Sequence, residues 1–151
     1  MNETPVPEQQ VLLGIEAGIA ALFQSGRSAL RDYSRLFHPE LQPTGFTILR
    51  MIFACDPAQA GTVIQQTGLD KSAVSRQIKV LRDLGLIETR RDPHDGRSSF
   101  LVPTPLAEQR MEALKQRMKR DYRDRLAGWT NDDLIAFSTL LERFNSSDPA
   151  A

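Results

Sequence analysis

Cysteine is almost absent from this chain of 151 residues, which carries only Cys55. One thiol excludes an intrachain disulfide and any cysteine-rich zinc site. Histidine is nearly as scarce, with only His38 and His94, so a catalytic metal centre is poorly supplied. Net charge is missing, since 19 basic side chains face 19 acidic ones. That excludes a globally basic nucleic-acid coat protein but allows a local basic surface. No apolar run approaches the ~20 residues needed to span a bilayer. The opening M-N-E-T-P-V-P-E-Q-Q has no cationic cluster leading into an apolar stretch, so no signal peptide is expected. A cytoplasmic protein without a membrane partner is the expectation, and a lone thiol suits a reducing compartment. Neither a Ser-His-Asp nor a Cys-His spacing is present, nor a glycine-rich phosphate loop. The chain is therefore expected to be no enzyme, with no catalytic residue, metal or cofactor.

What the chain does have is helical periodicity at both ends. Leu12, Ile15, Ile19, Leu22, Gly26, Leu30, Tyr33 and Phe37 step by three and four, describing one long amphipathic helix that stops before Pro39. A second stripe runs through Ala107, Met111, Leu114, Met118, Tyr122, Leu126 and Trp129. It opens on Thr104-Pro105, a capping hydroxyl followed by proline at the first helical position. Thr130-Asn131-Asp132-Asp133 reads as a capping box with Asp in place of Glu, starting a final helix with Leu134, Phe137, Leu141 and Phe144 inward. These helices carry more apolar stripe than the small middle of the chain could cover. A homodimer buries the excess, two-fold symmetry being the commonest arrangement. Its contacts are expected at Leu12, Ile15, Ile19, Leu134, Phe137 and Leu141.

The middle has a different texture. Pro43-Thr44 leads into a short helix with Phe46, Leu49, Ile52 and Phe53, broken at Asp56-Pro57. A brief helix over 60–67 follows, then Gly68, then a better-defined helix from Asp70, the expected N-cap, to about Leu84, ended by Gly85. Beyond it, R-R-D-P-H-D-G-R-S-S-F lies between the β-prone stretches 86–89 and 99–102 and reads as a hairpin tip. Helix, glycine-bearing turn, helix and hairpin is the order of a winged helix-turn-helix. The fold class expected is mainly α with a small β-wing. Its winged helix-turn-helix core is flanked by long N- and C-terminal dimerisation helices.

On a helical wheel Val74, Ile78, Leu81 and Leu84 share one side, while Ser72, Ser75, Arg76 and Lys79 share the other, with Asp83 at the far end. Hydroxyls beside long cations near a helix N-terminus suit a phosphate backbone, and arginine can reach a guanine edge. An α-helix fits the major groove of B-form DNA and not the deep, narrow groove of A-form RNA. Double-stranded DNA is the expected partner. In the wing, Arg97 is the candidate for the adjacent minor groove, with Arg90 and Arg91 as phosphate contacts. Asp95 is expected to pair with an arginine, and Gly96 to permit the turn.

Three segments carry a family resemblance: Gly68-Leu69-Asp70-Lys71-Ser72-Ala73-Val74-Ser75-Arg76, Leu81-Arg82-Asp83-Leu84-Gly85-Leu86-Ile87, and Asp92-Pro93-His94-Asp95-Gly96-Arg97. In these the chain resembles the MarR family (multiple antibiotic resistance regulators). The resemblance implies a single MarR-type domain over 1–151, with a DNA-binding lobe at 43–102 and a helical dimerisation lobe at 8–42 and 103–147. It also implies a dimer on a pseudo-palindromic operator, with repression often relieved by a small molecule or an oxidant. Carried over residue by residue, Ser72, Ser75, Arg76 and Lys79 are the recognition-helix contacts, Arg97 the wing arginine and Asp95 its structural partner. One departure is Pro103-Thr104-Pro105 with Ala107, where relatives usually have Leu-Thr and then a glycine.

An effector pocket, as the resemblance suggests, would lie where the terminal helices meet the winged lobe. Tyr33, Phe37, Met51, Phe53 and Met111 are its candidate lining, with Arg27, Arg31 or Arg35 available to an anionic effector, and the compound expected is aromatic or anionic. Cys55 reads as an inert, partly buried thiol, and His94 with Asp92 and Asp95 as solvated turn residues rather than a metal site. His38 is placed to cover open carbonyls at a helix end. The competing reading of the whole is a winged-helix protein-interaction module without operator binding.

Overall fold

A computed structural model describes residues 8–55, 58–92 and 99–146. The order of elements is α1 (Glu8–Phe37), α2 (Pro43–Ala54), β1 (Ala58–Gln59), α3 (Ala60–Thr67), α4 (Lys71–Asp83), β2 (Ile87–Arg91), β3 (Ser99–Pro103), α5 (Pro105–Arg125) and α6 (Asn131–Ser146). Among the described residues the fold is helical with one small antiparallel sheet, ordered β1-β3-β2. The winged helix-turn-helix expected from the sequence is present. The sheet has a third strand that the sequence did not disclose. Ala58 and Gln59 pair with Leu101 and Phe100, and two residues are too few to show a period.

The core grows around α2. Pro43 occupies the first turn of this helix, where its missing N–H costs nothing. Phe46, Ile48, Leu49 and Ile52 are buried almost completely. The same buried set includes Val63 of α3, Val74, Ile78 and Leu81 of α4, and Leu101 and Val102 of β3, elements that all pack against α2. Phe37, at the end of α1, lies against Phe46 with ring centroids 5.6 Å apart. Gly45 marks a close approach. A Cβ there would stand 2.8 Å from Oε1 of Gln77 and 3.0 Å from Leu41 Cδ1.

The chain divides into two compact units, one ending at Leu114 and the other starting at Lys115, so the boundary falls within α5. The first turns of α5 bury Ala107, Met111 and Leu114. In the second unit Thr130 and Asp133 form the reciprocal capping box. The Thr130 N–H donates to Asp133 Oδ2 at 3.1 Å and the Asp133 N–H to Thr130 Oγ1 at 3.2 Å. Trp129 and Phe137 meet edge to face at 5.4 Å. No residue of α6 is buried, which corrects the inward placement of Phe137, Leu141 and Phe144.

Candidate nucleic-acid interface

Three local devices position α4. Gly68, at φ 64°, lets the chain leave α3 in a left-handed turn. Asp70 then caps α4 as expected, its Oδ1 accepting from the Ala73 N–H at 2.9 Å and from the Ser72 hydroxyl. The far end closes with a two-bond C-terminal lock. The Leu86 N–H reaches the Leu81 carbonyl at 2.9 Å, and the Gly85 N–H reaches that of Arg82 at 2.8 Å. Gly85 sits at φ 67°, which satisfies the Schellman pattern.

Thr104 ties this end to the next helix. Its hydroxyl donates to the Gly85 carbonyl at 2.7 Å and accepts from the Ala107 N–H at 3.2 Å. Its own N–H donates to the Leu86 carbonyl at 3.1 Å. The capping hydroxyl expected at the start of α5 is there. Its second bond, across 19 residues of chain, was beyond any reading of local sequence.

With both ends held, α4 turns two chemically distinct faces. Val74, Ile78 and Leu81 are buried, and Ser72, Ser75, Arg76 and Lys79 are exposed. Lys71 and Arg82, not assigned as contacts from sequence, are exposed on the same helix. The carboxyl of Asp70 is held below the usual carboxylate range, first by the Ser72 hydroxyl and then by the Ala73 N–H, with Arg76 adding a smaller attraction. Lys79 Nζ lies 2.6 Å from Asp83 Oδ2.

In the wing, β2 and β3 pair over their full lengths, Arg90 opposite Phe100 and Arg91 opposite Ser99. Both arginines are exposed. Glu88 Oε1 accepts from Arg90 Nε at 2.8 Å and lies 2.7 Å from its terminal nitrogen NH2. Residues 93–98, which include His94, Asp95, Gly96 and Arg97, lie outside the described residues. The expectations placed on them stand as they were.

The family model described as MarR family matches residues 41–98. The HTH-type transcriptional regulator YxaD of Bacillus subtilis (strain 168) is 30% identical over 121 residues, spanning 80% of this chain and 85% of its own. This chain belongs to the MarR family. Among solved structures, YusO from Bacillus subtilis matches with a TM-score of 0.75 at 15% identity, over 95% of this chain and all of its own. Wild-type MarR from E. coli in its apo form matches with a TM-score of 0.66 at 20% identity, over 95% of this chain and 98% of its own. At these identities the structures share the fold. The curated relatives of this MarR-family chain are transcriptional regulators.

A hollow of about 280 Å³ lies in the first unit of this MarR-family protein. Leu30 of α1, Pro43, Thr44, Thr47 and Met51 of α2, and Thr67 and Leu69 beside the α3–α4 turn line it. Of the residues expected to form a pocket, only Met51 is among them. Phe37 and Met111 are buried in the core, while Tyr33 and Phe53 are half-buried. The lining comes from three separated segments, a grouping that no local pattern announces. Arg31 and Arg35 border a smaller cleft of about 110 Å³ with Ser34, Pro39 and Leu41.

Cys55 is half-buried, as expected, and its thiol donates to Gln66 Oε1 at 3.7 Å. His38 behaves unlike its expected role. Its Nδ1 accepts the Glu40 N–H at 3.2 Å rather than donating to a helix carbonyl. The turn after α1 brings that N–H back to the ring, with the Leu41 N–H closing on the His38 carbonyl at 2.9 Å. No helix among the described residues is long and apolar enough to cross a membrane.

Proposed function

We propose that this chain is a homodimeric, sequence-specific double-stranded DNA-binding transcriptional regulator. It represses from a pseudo-palindromic operator in the cytoplasm and is released by a small-molecule effector. One observation carries the reading. The second helix of the helix-turn-helix is anchored at both ends and apolar beneath, and it presents Ser72, Ser75, Arg76 and Lys79 to solvent. Hydroxyls and cations there engage phosphates and set the helix in the major groove, and Arg76 reads a base edge. Arg90, Arg91 and Arg97 extend the contact to the flanking groove.

The apolar faces left open support association of two copies. Leu12 and Ile15 on α1 are half-exposed, and on α6 Phe137 is 45% and Leu141 39% exposed. Two copies joined in this way present two recognition helices to half-sites about 34 Å apart. The hollow lined by Thr44, Thr47 and Met51 is the site offered to an aromatic or anionic effector. Its position against the α3–α4 turn lets an occupant shift the recognition helix.

Selection of bound duplexes from a random pool, followed by polarisation titrations, tests the reading. An inverted repeat should emerge, and Arg76→Ala should cost about 1–3 kcal/mol of discrimination at one position of each half-site. A pool that yields no enriched sequence, with Arg76→Ala indistinguishable from the parent, overturns it. That result would favour the protein-interaction module, for which the pairing of Lys79 and Arg90 with the chain's own carboxylates speaks.

A further inference from the structure

On the outer side of the winged lobe, acids hold groups that the proposed interface needs. Asp83 binds Lys79 one helical turn away, and Glu88 binds Arg90 two residues along β2, on the same strand face. The two carboxylates flank a single turn, 84–86, which the hydrogen bonds of Gly85, Leu86 and Thr104 fix in place. Neither pair is buried. The side chains of Lys79 and Asp83 are 74% and 60% exposed, those of Arg90 and Glu88 64% and 47%. Ion pairs so open to water add little to stability. Their effect falls instead on what the cations are free to do.

Resting on the DNA-binding reading above, we infer that Asp83 and Glu88 are specificity determinants, which tether Lys79 and Arg90 and so suppress sequence-independent binding to DNA. Non-specific affinity comes almost wholly from cations that displace counterions from phosphates. A lysine or arginine already neutralised by its own chain displaces fewer, and the paired carboxylate repels any phosphate brought beside it. At a correct site the base contacts of Arg76 fix the register, so the loss of phosphate attraction weighs less there. Both acids therefore widen the gap between operator and random DNA. With equal numbers of acidic and basic residues in the chain, discrimination of this kind depends on where individual acids sit.

Asp83→Asn and Glu88→Gln keep shape and remove the charge. Each should tighten binding to a random duplex by about three- to tenfold near 0.1 M salt, and tighten operator binding less. The slope of log K against log salt on the random duplex should steepen by about 0.9 for each cation that gains a phosphate. In a Lys79→Gln background the effect of Asp83→Asn should shrink, which a general change of net charge would not produce. If the parent binds its selected operator and both variants keep the parental slope and the parental operator-to-random ratio, the inference falls alone. If the parent and Arg76→Ala bind every duplex alike, the DNA-binding reading falls and takes this inference with it.

Discussion

The winged lobe and the terminal helices use the same kind of amphipathic pattern and meet opposite fates. In the lobe, Ile48, Leu49, Ile52, Val74, Leu81 and Leu86 lose all contact with solvent. Along the first 16 residues of α1, Leu12, Leu13, Ile15, Leu22 and Phe23 are all at least half-exposed, and α6 buries nothing. A three-four stripe thus specifies a helix and one apolar face, but not the surface that will cover it. The lobe closes on itself because short helices and a sheet surround α2 on several sides. The ends of the chain offer long single faces, much of which the described residues of one chain leave exposed.

The largest effect is expected in the lobe. Phe46→Ala should cost about 3–5 kcal/mol in denaturant-induced unfolding, since a fully enclosed ring leaves a cavity that its neighbours only partly fill. A cost below about 1 kcal/mol would mean that the lobe does not close as described. On the open side, Phe137→Ala should weaken self-association by about 2 kcal/mol, roughly thirtyfold in Kd, by sedimentation equilibrium. An unchanged association constant would remove the face of α6 from the proposed interface.

A smaller effect tests the link between α4 and α5. Thr104→Val keeps the volume but deletes a hydroxyl that both donates and accepts. A loss of about 1–2 kcal/mol is expected from the same unfolding measurement. The smallest effect is a pH dependence. The folded-state pKa of Asp70 is lowered by the Ser72 hydroxyl and the Ala73 N–H. Its contribution is therefore present above the ordinary carboxylate range and is lost as pH falls through the folded-state value. Asp133 shifts in the same direction, through Thr130. Melting curves of Asp70→Asn should show a weaker fall in midpoint on acidification than the parent, since Asn still caps but does not titrate. Parallel curves would deny Asp70 this role.

Much of the molecule was legible because its determinants are local. Asp70, Thr104 and Thr130 declare helix starts through hydrogen bonds within three residues, and Gly68 and Gly85 supply the positive φ that ends a helix. The outward residues of α4 followed from the 100° step alone. The pairing of Lys79 with Asp83 sat at a readable i,i+4 spacing, whereas that of Arg90 with Glu88 beside the same turn needed the strand geometry of β2. Strand β1 is too short to have a period. The hollow and the position of Phe37 depended on packing between distant segments, and an apolar residue on a helix face reads the same whether it lines a cavity or fills a core.

The sequence by itself determined where each helix starts and stops, which side of each is apolar, and that α4 carries hydroxyls and cations outward. Those properties come from neighbours within one or two turns, through caps, backbone angles and periodicity. Only the tertiary structure decided which apolar faces are covered, that a third strand joins the wing, and that Thr104 locks the end of α4. Such outcomes depend on distant segments meeting, and it is there that burial and long-range hydrogen bonds are won or forgone.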